Sequence, residues 1–299
     1  MPIARWAFNI RQTLLLEHIQ PLVTSLTDNN PNIVPVTNLL SFLPKIECDR
    51  LLQFRAEDDM RRALIGRLMI HAFFVAHHGC SWEKLEFSRS EANKPILLKP
   101  EHLKDVSFNI SHHGDWVILA GDTSPESSIR LGVDVMDFQE QVPGESFESF
   151  SSCFHEQFTP TELDYMKAAP HDPDAPKSTN NQLKRFYRMW CLKESVVKAL
   201  GVGIDFNLQS FEFIAQEEET AKPITSTVMR VYEPSDNFKE EGWVFEEALL
   251  DDDHCYAIAA HLGTEEEVEN GESIMDGSEI QRLDWQELLQ DAKPYPFQH

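Results

Sequence analysis

Apolar positions along the chain fall into short alternating runs and two long stretches of helical spacing, and together they predict the order of elements. Trp6-Ala7-Phe8-Asn9-Ile10 reads as an opening strand. From about Glu57 to His77, Met60, Leu64, Leu68 and Phe73 recur near helical spacing, and Gly79 is a natural stop. Two strand-like runs follow, Ser107-Phe108-Asn109-Ile110 and Trp116-Val117-Ile118-Leu119-Ala120, with His113-Gly114-Asp115 as the turn between them. A linker-like stretch, Gly121 to Ser128, comes next, and then the order recurs. Arg130 to Met136 reads as a strand and Phe186 to Leu200 as a helix closed by Gly201. Ser210-Phe211-Glu212-Phe213 and Cys255 to Ala260 read as further strands.

Strand, long helix, strand, strand thus occurs twice, without convincing identity between the halves. This predicts an α+β fold of two similar lobes with a ligand cleft between them. Residues 1–126 form the N-terminal lobe, 127–262 the C-terminal lobe, and 263–299 an acidic, largely flexible tail. In that tail Trp285 and Leu288-Leu289 can form one short helix. The prolines, aspartates and asparagines of 170–182 read as a flexible surface loop.

Composition narrows the function. Hydrophobic residues are 41% and charged residues 25%, as in ordinary globular proteins. The formal charge of −24 argues against a general nucleic-acid binder, which needs a basic surface to displace counterions. It leaves room for an anionic ligand met by a few converging basic residues. The five cysteines, Cys48, Cys80, Cys153, Cys191 and Cys255, are scattered and lack CxxC spacing, so they read as reduced thiols. No secretory leader is evident, and the longest apolar stretch, Leu68 to Ala76, is too short to span a bilayer. A cytoplasmic protein is expected.

Three segments carry candidate chemistry. In Leu131-Gly132-Val133-Asp134-Val135-Met136, alternation puts Val133 and Val135 on one face and Asp134 and Met136 on the other. A carboxylate within an apolar strand costs free energy unless it is paired or binds metal. The alternative is an Asp that caps a turn or pairs with an arginine. In the second segment Phe186, Trp190, Glu194 and Lys198 are successive i,i+4 positions, so Glu194 continues an aromatic stripe. A solvated Glu–Lys pair is the alternative there, with Phe186 and Trp190 serving as core. The third segment is Phe108-Asn109-Ile110-Ser111-His112-His113-Gly114-Asp115. Its Ser-His pair is a poor nucleophile and base, because neighbours on a strand point to opposite sides and no orienting acid is evident. His112 then reads either as a phosphate-binding residue or as an ordinary turn histidine.

The order and combination of these segments resemble the 4′-phosphopantetheinyl transferase superfamily, in its large monomeric class typified by the surfactin-synthetase activator. The likeness is greatest to the branch serving eukaryotic aminoadipate-semialdehyde dehydrogenase. The matching residues are Gly66-Arg67-Leu68-Met69-Ile70, Asn93-Lys94-Pro95, Phe108 to His112, Gly132-Val133-Asp134-Val135 and Trp190 to Lys198, within roughly residues 5–262. The resemblance implies a pseudo-twofold axis relating the lobes, with coenzyme A in the cleft. It implies that Asp134 and Glu194 bind Mg²⁺ with the pyrophosphate. Arg50, Arg89 and His112 would then meet the nucleotide phosphates, Lys94-Pro95 would lie beside the cofactor, and Lys198 would approach the transferring phosphate. Met136 departs from the bacterial pattern, which has Glu there, and cannot ligate a hard cation. His113 stands where the branch often has Gln and is not read as a ligand.

The activity implied is Mg²⁺-dependent transfer of the 4′-phosphopantetheine arm to a serine of acyl or peptidyl carrier domains. Those carriers belong to fatty acid synthase, polyketide synthase, peptide synthetase or aminoadipate reductase. Adenosine 3′,5′-bisphosphate leaves, with Glu194, Lys198 and Asp134 as the catalytic groups. A monomer is expected, with no nucleic-acid or membrane partner. The alternatives are a Mg²⁺-dependent phosphoesterase acting on a nucleotide-type diphosphate, and a non-catalytic nucleotide-binding protein.

Overall fold

The computed structural model describes residues 3–12, 39–90, 93–139, 146–169, 181–203, 206–215, 220–235, 238–263 and 274–295. The strands are β1 (Ile3–Asn9), β2 (Glu86–Arg89), β3 (Pro95–Lys99), β4 (Phe108–His113), β5 (Trp116–Asp122), β6 (Arg130–Asp137), β7 (Phe211–Ile214), β8 (Val228–Val231), β9 (Trp243–Leu249), β10 (His254–His261) and β11 (Gln281–Arg282). The α-helices are α1 (Lys45–Leu51), α2 (Glu57–His78), α3 (Phe147–Ser152), α4 (Pro160–Lys167), α5 (Asn181–Leu200) and α6 (Trp285–Leu289).

The structure is a mixed α+β fold, and its strand connectivity is alike in the two halves. In the first half the sheet order is β1-β5-β4, and in the second it is β6-β10-β9. Each time the opening strand leads to a long helix and later pairs with the second arm of a hairpin, antiparallel throughout. Strand alternation then sorts the side chains into layers. Ile118 and Ala120 of β5 face Val133, Val135 and Ile258 of the second sheet across a shared apolar layer. Val117 and Leu119 point the other way, into a core with Leu64, Leu68 and Phe73 of α2. On the far side, Ala257 and Ala259 pack with Cys191, Leu192 and Val196 of α5. Helix, sheet, sheet, helix is the resulting stack. The alternation read for residues 131–136 holds: Val133 and Val135 lie in the layer between the sheets, and Met136 packs with the α5 core.

Helix α2 runs one residue beyond the predicted His77 and ends on Gly79, at φ +64°, where a left-handed residue closes the last turn. Gly121 and Asp122, expected in a linker, instead finish β5, and Asp122 is buried. Residues 170–180 of the expected loop lie outside the described residues; Asn181 and Gln182 already belong to α5.

The C-terminal tail corrects the expectation of a largely flexible segment over residues 274–295. Strand β11 adds to the first sheet parallel to β1, and Leu283, Trp285 and Leu288 are buried in the α2 core. Trp285 sets its ring edge-on against Phe8, with centroids 4.6 Å apart. These apolar anchors are diluted among acids, so composition hides them. The predicted helix at Trp285–Leu289 is there, closed by a capping box from Asp284 and Glu287.

All five cysteines are free thiols. Among the described residues no helix is long and apolar enough to cross a membrane.

Candidate active site

The site begins with how closely α5 lies on β6. A Cβ built on Gly132 would fall 1.9 Å from the Ser195 carbonyl oxygen and 2.4 Å from the Ala199 nitrogen, so only glycine permits this approach. Asp134 is two residues along the same face, and Glu194 and Lys198 flank the contact on the helix. Lys198 Nζ lies 2.5 Å from Asp134 Oδ1 and donates to Ser111 Oγ at 2.8 Å. Ser111 in turn donates to Asp134 Oδ1 at 2.8 Å. Lysine, serine and aspartate form a closed triangle drawn from β4, β6 and α5. Asp134 thus pairs with a lysine, neither capping a turn nor meeting an arginine, and Lys198 reaches it instead of forming a helix-surface pair with Glu194. Phe186 and Trp190 of the same stripe are stacked core, with centroids 6.1 Å apart.

Sequence reasoning missed what holds β6 against β4. Both are edge strands of their sheets, and an unpaired strand edge leaves backbone N–H groups that need acceptors. Side chains of β4 and the residue before it provide them. Ser107 Oγ accepts from Leu131 N–H at 2.8 Å, Asn109 Oδ1 from Val133 N–H at 3.2 Å, and His113 Nδ1 from Asp137 N–H at 2.8 Å. Every pair is separated by 24 residues. The fourth member of the series, Ser111, turns instead to Asp134. A visible signal was the polar alternation Ser107, Asn109, Ser111, His113 around apolar Phe108 and Ile110.

A cavity of about 690 Å³ opens beside this triangle. Its walls come from both halves of the chain: Pro44, Ile46 and Glu47, the Arg62–His71 face of α2, the β2–β3 hairpin, Asn109, Ile110 and His112, and α5 with Gly201 and Gly203. Of the predicted residues, Arg89, Lys94, Pro95, His112, Glu194 and Lys198 line it. Asp134 and Arg50 do not: Asp134 meets the cavity through its bond to Lys198, which lines it, and the Arg50 guanidinium turns to Glu47 at 2.8 Å, an i,i+3 pair on α1. Arg62 and Arg67 also line the cavity and were not predicted, because arginines on a helix read as solvated surface. Arg62 donates to the Gly114 carbonyl at 2.6 Å, and Arg67 holds Glu47.

Electrostatics in the cavity run against the chain's −24 charge. Burial, then Arg67, lowers the Arg89 pKa, although Glu47 opposes the shift. Burial alone lowers that of the Lys94 ammonium. Burial, then Arg62 and Lys198, keeps His112 below its ordinary value. Cations crowded with cations are a standing demand for an anion. Glu194 shows the opposite shift: burial first and the Asp134 charge second push it above the ordinary glutamate range, with Lys198 pulling it back.

Two carboxylates of the site offer oxygen donors to a hard divalent cation. Asp134 Oδ2 is buried and has no hydrogen-bond partner, and the electrostatic coupling of Glu194 to Asp134 brings a second carboxylate into play. Two hard oxygen donors of like charge, one with an orphaned oxygen, suit such an ion. Among the described residues no three His, Cys, Asp or Glu side chains converge as a ligating group.

Comparison with known proteins gives a consistent picture. A family model described as 4′-phosphopantetheinyl transferase, N-terminal, matches residues 30–124, and one described as 4′-phosphopantetheinyl transferase superfamily matches residues 130–259. The chain is 32% identical over 248 residues to a phosphopantetheinyl transferase of Thraustochytrium sp., covering 82% of this chain and 76% of the relative. It is 30% identical over 259 residues to the L-aminoadipate-semialdehyde dehydrogenase-phosphopantetheinyl transferase of Homo sapiens, covering 83% and 78%. To the 4′-phosphopantetheinyl transferase of Bacillus subtilis it is 29% identical over 163 residues, 54% and 62% of the two chains.

Proposed function

The chain belongs to the 4′-phosphopantetheinyl transferase superfamily, and from that premise we propose that it moves the phosphopantetheine arm of coenzyme A onto a serine of a carrier domain. Asp134 and Glu194 would hold Mg²⁺. The observation that carries this reading is the Asp134 carboxylate, with one oxygen bound to Ser111 and to Lys198, a lining residue of the cavity, and the other buried without a partner. A bound magnesium ion supplies positive charge that neutralises a diphosphate.

The chain's own residues account for the remainder. Arg67, Arg89 and Lys94 face the cavity from α2 and the β2–β3 hairpin and would bind the nucleotide phosphates. His112, kept neutral near pH 7 by burial and then by its cationic neighbours, would donate a hydrogen bond to a phosphate oxygen. The carrier serine Oγ attacks the β-phosphorus of coenzyme A. A new P–O bond forms, the bond to the leaving phosphate breaks, and adenosine 3′,5′-bisphosphate departs. The serine proton would go to Glu194, directly or through water. Lys198 would meet the charge that develops on the phosphoryl oxygens. Positioning and charge neutralisation do most of the catalysis in such a transfer.

The carrier is an acyl or peptidyl carrier domain, as the names of relatives that modify aminoadipate-semialdehyde dehydrogenase suggest. The test is mass spectrometry of apo-carrier domains after incubation with the protein, coenzyme A and Mg²⁺. Gain of one phosphopantetheine mass on a serine, abolished by EDTA, is the expected result. Release of adenosine 3′,5′-bisphosphate without carrier would instead identify a hydrolase.

A further inference from the structure

Three stretches of the N-terminal half wall the cavity: Pro44 to Glu47, the Arg62–His71 face of α2, and Glu86 to Arg89 of β2. A single residue from the far end of the chain touches the base of all three. The Tyr295 backbone N–H donates to the Ser41 carbonyl at 2.8 Å, three residues before Pro44. Its hydroxyl lies 3.3 Å from His71 Nε2 on α2. The same hydroxyl is 3.2 Å from the Trp82 carbonyl oxygen and 3.1 Å from that of Leu85, immediately before β2.

His71 connects this cluster to the cavity. It lines the cavity yet is only 2% exposed, and its ring packs against Phe87 and Trp82, with centroids 4.9 Å and 5.2 Å away. Burial lowers its pKa to about 4, so the ring is neutral near pH 7. Nδ1 sits 2.9 Å from the Arg67 carbonyl, an oxygen that can only accept, which places the ring proton there. Nε2 is then an acceptor too, so the single Tyr295 hydroxyl proton is shared among the Trp82 carbonyl, the Leu85 carbonyl and Nε2. Arg67, one turn earlier, reaches Glu47 and so carries the linkage back to α1.

Tyr295 is delivered by an anchored segment. Leu283 N–H donates to the Ala7 carbonyl at 2.8 Å, Trp285 and Leu288 are buried, and the α6 capping box stops the helix from fraying. All of this lies beyond residue 259, where the matched superfamily region ends.

We propose that Tyr295 is a positioning residue for coenzyme A: the C-terminal segment is a latch that joins the three wall stretches and presents Arg67, Arg89 and Lys94 in binding-ready positions. The inference rests on the reading above that the cavity takes coenzyme A. A wall that must be ordered on binding weakens affinity by the fraction of time it is disordered, so the latch acts on binding and not on the chemical step.

The experiment measures coenzyme A affinity by titration calorimetry on the full chain, on Tyr295→Phe, and on a chain ending at Pro294. Apparent KM for coenzyme A, KM for the carrier and kcat are measured alongside. Loss of the hydroxyl should weaken coenzyme A binding about five-fold, the worth of one hydrogen bond, and raise its KM in parallel. The truncated chain should lose more, while kcat at saturation and the KM for carrier stay within about two-fold. A merely structural Tyr295 would lower the melting temperature and leave the affinity of the folded protein unmoved. If the full chain binds coenzyme A and Tyr295→Phe binds it equally well, the latch is overturned. If the full chain binds none, the cofactor reading fails first and takes the latch with it. Should the truncated chain not fold, Tyr295→Phe, which keeps the ring, still decides.

Discussion

Asn109 Oδ1 accepts the backbone N–H of Val133 at 3.2 Å, so a side chain of one sheet completes the edge of the other. Both residues are buried, and Val133 immediately precedes Asp134. Replacing Asn109 by Ala would leave a buried N–H without an acceptor, at a cost of about 1–3 kcal/mol. The seam would loosen where Asp134 is held against Ser111, so transfer should fall further than the loss of folded protein explains. Urea unfolding alongside the carrier assay separates the two effects. Asn109→Ala with wild-type stability and rate would show that the seam positions nothing.

Gly132 sets the distance between the helix and the strand that carry the acids. An alanine methyl there overlaps the α5 backbone itself, and backbone cannot swing aside as a side chain can. Gly132→Ala should therefore destabilise by about 1–3 kcal/mol or more through overpacking and push Glu194 and Lys198 away from Asp134. A loss of transfer of at least about a hundred-fold is expected, since an ångström of displacement at a reacting centre has that effect. Gly79, outside the cavity and with nothing within 4 Å of its Cβ position, is the control, although its φ of +64° makes Gly79→Ala mildly strained.

Glu194→Gln should leave the fold intact and reduce transfer by about 10²–10⁴-fold, the usual range for a lost general base. A rate near wild type would remove Glu194 from the mechanism. A second readout does not depend on turnover. If Asp134 and Glu194 hold the cation, Mg²⁺ should raise the melting temperature, EDTA should reverse the shift, and Asp134→Asn and Glu194→Gln should each abolish it. An equal Mg²⁺ shift in all three proteins would locate the ion elsewhere.

Legibility in the sequence followed the range of the interaction. The i,i+4 stripe Phe186-Trp190-Glu194-Lys198 is local to one helix, and the alternation that sets Asp134 opposite Val133 is local to one strand, so both could be read directly. The 24-residue offset that pairs Ser107, Asn109 and His113 with β6 depends on two sheets meeting edge to edge, which no local period reports. Lys193, beside Glu194, carries no local pattern that marks a buried charge. It is fully buried, 3.1 Å from Glu162, in a cluster that joins α4 to α5. Arg67 and Arg50 are alike by helix pattern, and only the family resemblance singled out Arg50; both reach Glu47, yet Arg67 lines the cavity and Arg50 does not.

His254 connects the turn at Gly114 to the second sheet, and its charge gives stability a pH signature. Its Nδ1 lies 2.8 Å from Asp251 Oδ1 and its Nε2 3.7 Å from Asp137 Oδ2, with Asp115 adding a third negative charge. Burial opposes protonation, but the three acids together raise the imidazole above its ordinary 6.5. A raised pKa contributes stability that is fully present below the unfolded value and is lost as pH rises through the folded one. Asp251, itself lowered from 3.8 to about 2 by bonds from His254 and Trp116, contributes above 3.8 and loses its share as pH falls toward 2. The cluster is therefore strongest in the window between 3.8 and 6.5. His254→Gln should destabilise most inside that window, and its deficit should shrink at alkaline pH, where the wild-type imidazole is also neutral. Guanidinium unfolding of both proteins across pH tests this. A deficit that stays constant from the acid to the alkaline side would mean that His254 acts by packing alone and that its charge contributes nothing.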